Sequence, residues 1–222
     1  MAISFINRQT QSGTQNKQWL RLSTITLAWL AATGFGLCAL WNYETTPGEI
    51  ATLASEWPGE SHIQRNAELP TLVLFAHPRC PCTRASIGEL ALIMARCQGR
   101  VDAHVLFFKP TEFSSDWEKT DLWRDAEEIP SVKVTWDEDG SEARRFQAAT
   151  SGFTVLYDPN GRLVFSGGIT GSRGHYGDNA GKTAIESILT SGPTDRKSSL
   201  VFGCQLLDKG ARSNTRIKKC RE

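Results

Sequence analysis

The sequence predicts an α/β domain, with helices over a central sheet, preceded by a single N-terminal transmembrane helix. Three observations lead to this prediction: a long uncharged stretch near the N-terminus, apolar runs of strand length that alternate with helical patterns, and a length of 222 residues, which suits about one domain with additional segments. The net charge of +1 provides no overall field that would attract nucleic acid, so we expect no nucleic-acid partner.

The uncharged stretch, residues 22–43, includes LSTITLAWLAATGFGLCALW. A helix of about 20 apolar residues spans the hydrocarbon core of a bilayer. All charges in residues 1–21 are basic, and the first charge after the stretch is Glu44. The positive-inside bias therefore predicts a cytoplasmic N-terminus and a single-pass anchor in the cytoplasmic membrane, with the C-terminal domain on the exported, periplasmic side. A cleaved signal peptide is the alternative, although its apolar region would be shorter.

After the anchor we expect a spacer at residues 44–69 and an α/β domain at residues 70–190. The continuous apolar run TLVLFAH is typical of a buried strand. The next segment, ASIGELALIMARCQG, carries apolar residues at helical spacing and ends near a glycine that suits a helix end. VDAHVLFF is a second apolar strand, and SSDWEKTDLWRDAEEIP is a second predicted helix.

The second half of the domain continues this alternation. SVKVTW is predicted as a short strand and SEARRFQAA as a short helix. GFTVLYDPNGRLVFSGG is a hairpin, because two apolar runs surround the turn at Pro159-Asn160-Gly161. DNAGKTAIESILTSG is predicted as the closing helix, capped by Asp178 or Asn179. The resulting order, β-α-β-α-β-α-β-β-α, predicts helices over a central sheet.

Residues 191–222 form a basic tail with one apolar stretch, SSLVFGCQLL. In an otherwise polar tail these apolar side chains would be exposed to water unless they packed against the domain. We therefore expect the tail to dock partly on the domain around Cys204. In that position Cys204 would serve as a resolving thiol or as a third metal ligand, or it would contribute packing alone.

Two of the six cysteines lie in FAHPRCPCTRAS, separated only by Pro81. Proline suits the first position of a helix, which makes Cys80 the N-cap and Cys82 the second helical residue. Free N–H groups and the positive end of the helix dipole favour a thiolate at an N-cap, so Cys80 is the expected nucleophile. A Cys80–Cys82 disulfide would close a tight, distorted ring and would be easily reduced.

Three interpretations of the cysteines remain open. Disulfides persist on the exported side of a membrane, which favours thiol–disulfide exchange through Cys80, with Cys82 or Cys204 as the resolving thiol and no cofactor. The first alternative is a soft-metal site for copper formed by His77, Cys80 and Cys82, completed by Cys204 or His175. The second is a binding module in which no cysteine takes part in chemistry.

The element order, with cysteines between the first core strand and its helix, resembles the thioredoxin-like superfamily, and in particular its exported, membrane-anchored branch. The segments HPRCPCTRAS, TSGFTVLYD and GGITGSRGHYGDNAG are most similar to a small group called RedB-like. The resemblance implies an exported partner protein that carries a thiol or a disulfide. It places Cys80 at the first cysteine of the usual Cys-x-x-Cys and Thr83 at the second. Gly152 takes the position of a cis-proline that shapes the substrate contact.

The resemblance also implies that the glycine-rich loop GGITGSRGHYGDNAG passes near the first cysteine. Arg173 and His175 are then the polar groups expected to face Cys80, and His175 would exchange protons near neutral pH. The alternative is a solvent loop whose glycines only form turns. The glycine spacing does not match the P-loop pattern, so nucleotide binding is not expected.

Overall fold

A computed structural model describes residues 3–49, 55–113, 116–192 and 194–207, without the side chains of residues 3–16. The chain divides into two compact units, Met1–Tyr43 and Glu44–Glu222. The first unit consists largely of helix α1 (Ile3–Thr45), and the second contains the sheet and all other helices of the described residues.

Part of α1, Lys17–Thr45, is long and apolar enough to cross a membrane, a property that signal sequences share. Three threonine hydroxyls in this segment donate to backbone carbonyls in the preceding turn, as in the bond from Thr26 to the carbonyl of Leu22 at 2.9 Å. Such internal bonds satisfy polar groups that lipid cannot satisfy.

The second unit is built on a mixed five-stranded sheet. Its strands are β1 (Thr71–Ala76), β2 (Asp102–Lys109), β3 (Val132–Glu138), β4 (Phe153–Tyr157) and β5 (Leu163–Gly168), in the order β3-β2-β1-β4-β5. β2 runs parallel to β1 and β3, whereas β4 is antiparallel to β1 and β5. This sheet confirms the predicted α/β fold and places the carboxyl end of β1 at the centre of one edge.

The helices of the second unit are α2 (Pro81–Arg96), α3 (Asp121–Glu127), α4 (Ser141–Arg145) and α5 (Ala180–Ser191). α3 and α4 are shorter than the sequence predicts. The structure has turns at residues 116–118 where a helix was expected, and Gln147 has a φ of 54°, which ends the helical path of α4. The cap of α5 is Asn179, whose side chain accepts a hydrogen bond from the backbone N–H of Lys182 at 2.9 Å.

Apolar side chains form a separate core on each face of the sheet. Ile87 of α2, Leu122 of α3 and Ile185 of α5 belong to the core on the first face. The second face has only the short α4, and its core is completed by side chains from the spacer and the tail, including Trp57 and Val201. On that face, the spacer and the tail therefore cover the sheet where a long helix would otherwise lie.

The tail reaches this position along the outer edge of β5. Its backbone pairs with the strand there: the N–H of Ser199 donates to the carbonyl of Ser166 at 3.2 Å, and the N–H of Gly168 donates to the carbonyl of Leu200 at 3.2 Å. A methyl group at Gly168 would lie 2.6 Å from the carbonyl oxygen of Leu200. Glycine is therefore needed at this position for the tail to come so close.

A buried ion pair joins α2 to α5. The Nζ of Lys182 lies 2.8 Å from a carboxylate oxygen of Glu89, and the two side chains are 3% and 0% exposed. The other carboxylate oxygen of Glu89 accepts from the N–H of Gly177, while Lys182 donates to the carbonyl of Gly177. The pair thus holds the glycine-rich loop as well as the two helices.

Replacement of Lys182 with methionine should lower the free energy of unfolding by about 3–5 kcal/mol, because it leaves the Glu89 carboxylate buried without its cation. Pulse proteolysis of the detergent-solubilised full chain in urea measures this loss. The double variant K182M/E89M, which removes both charges, should recover much of the stability. Equal stability of K182M and the parent chain would contradict the account of the pair.

Candidate functional site

The site lies where β1 ends and α2 begins. Pro81 occupies the first turn of α2, and Cys80 is the N-cap in an extended conformation, with φ −94° and ψ 120°. The carbonyl of Cys80 accepts the N–H of Thr83 at 3.0 Å, which starts the helix. The Cys80 side chain is only 1% exposed, so its sulfur lies inside the protein.

The surroundings of the Cys80 sulfur differ from those expected of an N-cap. Its side chain receives no capping hydrogen bond from the first turn of α2. Instead, the Sγ of Cys204 lies 2.6 Å from the Sγ of Cys80, and the Cys82 thiol is also a hydrogen-bonding neighbour of Cys80. Cys80 is therefore in contact with the sulfur of Cys204 and is influenced by the neighbouring Cys82 thiol.

These neighbours separate the acidities of the three thiols. Hydrogen bonds from Cys204 and then from Cys82 lower the pKa of Cys80, although burial opposes them. The same interactions, together with burial, raise the pKa of Cys82 and of Cys204 above the ordinary thiol value. In the reduced protein these interactions therefore favour the thiolate on Cys80 over a thiolate on Cys82 or Cys204.

The tail brings Cys204 to this position by pairing with the loop that precedes β4. The N–H of Ser151 donates to the carbonyl of Cys204 at 2.8 Å, and the N–H of Leu206 donates to the carbonyl of Ala149 at 2.8 Å. Because a methyl group at Gly203 would collide with the carbonyl oxygen of Ser151, glycine lets the tail approach the loop. Arg173 also holds the tail, donating to the carbonyl of Gly203 at 2.5 Å.

Ser151 is a site residue that the sequence analysis did not identify. Its hydroxyl accepts from the N–H of His77 at 2.9 Å and lies 2.8 Å from the hydroxyl of Thr83, which donates to the carbonyl of His77. Ser151 therefore links the end of β1, the start of α2 and the Cys204 backbone. Its position directly before Gly152 is the one sequence signal that pointed to it.

Thr83 and Gly152 have structural surroundings that explain their residue types. Thr83 is buried, and its hydroxyl takes part in the hydrogen bonds with Ser151. Gly152 has a φ of 87°, and a methyl group there would lie 2.9 Å from the hydroxyl of Ser86. Its N–H donates to the carbonyl of Phe75 at 2.7 Å, which places the loop against β1.

Arg173 and His175, which were both expected to face Cys80, have different surroundings in the structure. The charge of Arg173 acts on both Cys82 and Cys204, where it opposes the rise in their pKa values. His175 is exposed, and its Nδ1 lies 2.8 Å from the carbonyl oxygen of Arg173. Arg173 is therefore part of the cysteine cluster, whereas the contact found for His175 is with the backbone of its own loop.

His77 lies beside the cysteines in an aromatic environment. Its Nδ1 accepts from the N–H of Arg79 at 3.2 Å, and its ring packs against Phe108 and Trp117. Burial lowers the pKa of His77, against the opposing effect of the Cys80 thiolate. Within the described ranges, no three His, Cys, Asp or Glu side chains are arranged to hold a metal ion.

No family model and no curated protein matches the chain. Among solved structures, it is similar to a hypothetical protein of Sinorhizobium meliloti, with a TM-score of 0.54 and 19% identity over 72% of this chain and 97% of that one. An uncharacterized conserved protein of Geobacillus kaustophilus has a TM-score of 0.51 and 18% identity, over 75% of this chain and 94% of that one.

A thioredoxin-like protein solved in its oxidised form also matches, with a TM-score of 0.40 and 17% identity over 66% of this chain and 93% of that one. At these identities the likenesses concern the fold alone. The five-stranded sheet and its flanking helices, with a cysteine at the N-cap of α2, give an α/β domain that is similar in fold to thioredoxin-like proteins and is preceded by one apolar N-terminal helix.

The acidity of Cys80 should depend on Cys204. In the reduced full chain, Cys204→Ala removes the main hydrogen-bond donor to Cys80, so the pKa of Cys80 should rise. The thiolate absorbance near 240 nm, followed against pH, measures this shift, and Cys97→Ala is the control at a buried cysteine outside the cluster. An unchanged midpoint in Cys204→Ala would contradict this account.

The same shift gives the sign of the pH effect on stability. Because the pKa of Cys80 is lower in the folded protein than in the unfolded chain, the thiolate stabilises the fold above the unfolded pKa. That contribution is lost as the pH falls through the folded pKa. We expect the pH dependence of urea unfolding in the reduced full chain to be smaller in Cys204→Ala.

Proposed function

We propose that this chain is a membrane-anchored, exported protein that carries out thiol–disulfide exchange. In this proposal Cys80 is the reactive thiol, and Cys204 is the cysteine with which it forms a disulfide. The observation that carries the proposal is the 2.6 Å separation of the two Sγ atoms, which belong to residues 124 positions apart. A disulfide bond is about 2.05 Å long, so a small movement separates this contact from a covalent bond.

Cys204 suits the role of partner better than Cys82. Cys80 and Cys82 are separated by one proline, which would force a disulfide between them into a tight ring. Cys204 approaches from a different segment, whose backbone places its sulfur beside Cys80 without such a ring. We assign Cys82 the role of a second hydrogen-bond donor to Cys80, in keeping with the raised pKa of its own thiol.

The contrast in acidity supports exchange as the chemistry of the site. A thiolate is the nucleophile and the better leaving group in disulfide exchange, and the environment of Cys80 favours the thiolate. The partner we propose is an exported protein that carries a thiol or a disulfide. Because the motif HPRCPCTRAS is the central part of the resemblance, we also place the chain near the RedB-like group.

Export fits this chemistry, since disulfides persist outside the cytoplasm. The proposed topology rests on the basic residues before the apolar helix and on the length of that helix. Copper binding is the weaker candidate. It needs His77 as a ligand, yet the Nδ1 of His77 is already an acceptor for Arg79 and its ring is packed between aromatic side chains.

Equilibration of the full chain with glutathione buffers tests the exchange. We expect one two-electron transition that persists in Cys82→Ser and is lost in Cys204→Ser, measured by counting free thiols under denaturing conditions. Cys38→Ser, in the apolar helix, is the control and should behave like the parent chain. Loss of the transition in Cys82→Ser alone would make Cys82 the partner, and no transition in the parent chain would favour the binding module.

The topology has a separate test. Alkaline phosphatase fused after residue 222 should be active, because that enzyme needs the oxidising exterior for its disulfides. A fusion after residue 21, before the apolar helix, is the matched control and should be inactive. An inactive fusion after residue 222 would contradict an exported domain.

A further inference from the structure

The two cysteines of the proposed pair differ in their exposure to solvent. Cys80 is 1% exposed, whereas Cys204 is only partly buried. Cys204 lies on the tail segment of residues 199–207, which covers the loop before β4. A partner that approaches from solvent therefore reaches Cys204 more readily than Cys80.

We propose that an external thiol attacks Cys204 rather than Cys80, so that the mixed disulfide with the partner forms on the tail segment. This inference rests on the proposed exchange between Cys80 and Cys204. It also identifies Cys204 as the residue to which the partner becomes covalently bound. It reverses the expectation from sequence, which made Cys80 the first sulfur to react with the partner.

The leaving group supports the same direction. Disulfide exchange is faster when the sulfur that leaves has the lower pKa. Attack on Cys204 releases Cys80, and the Cys82 thiol still lies beside Cys80 as a donor that lowers its pKa, although Cys204 has no S–H to donate while it is in the mixed disulfide. Burial and leaving-group acidity therefore favour the same sulfur.

Different contacts hold the two ends of the tail segment in place. Residues 199 and 200 pair with the edge of β5, and Val201 is completely buried. Around Cys204 the polar contacts are backbone bonds to Ala149 and Ser151 and the bond from Arg173 to Gly203. Phe202 and Leu206 are also buried, so outward movement of the segment beyond Val201 with a bound partner would expose these two side chains while the β5 edge remains paired.

The exchange balances without a cofactor. The partner thiol loses its proton to solvent, and its sulfur forms a bond to the Sγ of Cys204 while the Cys80–Cys204 bond breaks. The electron pair of the broken bond leaves with Cys80 as a thiolate. A second thiol of the partner then attacks the partner's own sulfur in the mixed disulfide, which forms the partner's disulfide and releases Cys204, which takes up a proton. The partner is oxidised by two electrons and this protein is reduced by two.

The test uses the oxidised, detergent-solubilised full chain with Cys82→Ser, which prevents glutathione from moving between neighbouring cysteines. Reduced glutathione is added briefly, acid stops the exchange, and N-ethylmaleimide labels the free thiols after denaturation. Cleavage after Arg79, Arg84 and Lys197 places Cys80 and Cys204 on separate peptides for tandem mass spectrometry. We expect glutathione on Cys204 and the label on Cys80, with a preference of about tenfold or more, since leaving-group acidity and access act together.

The outcomes separate this inference from the proposed function. If the oxidised chain contains no Cys80–Cys204 linkage before glutathione is added, the proposed function fails. If the linkage is present and glutathione appears on Cys80, the inference is overturned while the exchange stands.

A second pair of variants tests the role of the tail segment. Gly203→Ala should displace the segment from Ser151 and expose Cys80, which would lower the preference for Cys204. Gly59→Ala adds a methyl group in open space and is the matched control. An unchanged preference in Gly203→Ala would overturn the claim that the segment shields Cys80.

Discussion

The contact between the sulfurs of Cys80 and Cys204 is the interaction on which the rest of the site depends. It joins the N-cap of α2 to a tail that lies more than a hundred residues further along the chain. Gly203 permits the close approach, Ser151 supplies the backbone bond, and the paired edge of β5 fixes the path of the tail. A change in any of these would move Cys204 away from Cys80.

The acidity of the site comes from sulfur neighbours rather than from the helix alone. An N-cap cysteine would ordinarily be favoured as a thiolate by free N–H groups, but at Cys80 the thiols of Cys204 and Cys82 lower the pKa more than the backbone N–H groups do. Burial raises the pKa of a thiol, and the donors beside Cys80 outweigh that effect. The thiolate is therefore protected from solvent and stabilised at the same time, a combination that a single exposed N-cap cysteine would not provide.

Local patterns predicted the fold well because β1, β2 and β4 are largely apolar and buried runs of strand length. β1 and β2 are buried throughout or nearly so, and the turn at Asn160 and Gly161 marks the hairpin of β4 and β5. The ends of the elements were predicted less accurately. The second helix was predicted over SSDWEKTDLWRDAEEIP, but α3 begins only at Asp121. The pattern could not distinguish the turns before α3 from helix, because polar residues there fit both.

The site was partly accessible from sequence. Pro81 predicted the N-cap at Cys80, because proline at the first helical position is a local rule. The hydrogen bonds of Ser151 and the exposure of His175 depend on how distant segments pack, which a single sequence does not encode in any local pattern. The same holds for the distance between Cys80 and Cys204, which depends on the docked tail.

The linkage of Cys80 in the oxidised protein is the most direct test of this account. The full chain, oxidised with glutathione disulfide and digested without reductant, yields peptides that identify the partner of Cys80 by mass spectrometry. The account predicts a peptide pair that joins Cys80 to Cys204, with Cys82 as a free thiol. A bond between Cys80 and Cys82, with Cys204 free, would contradict it.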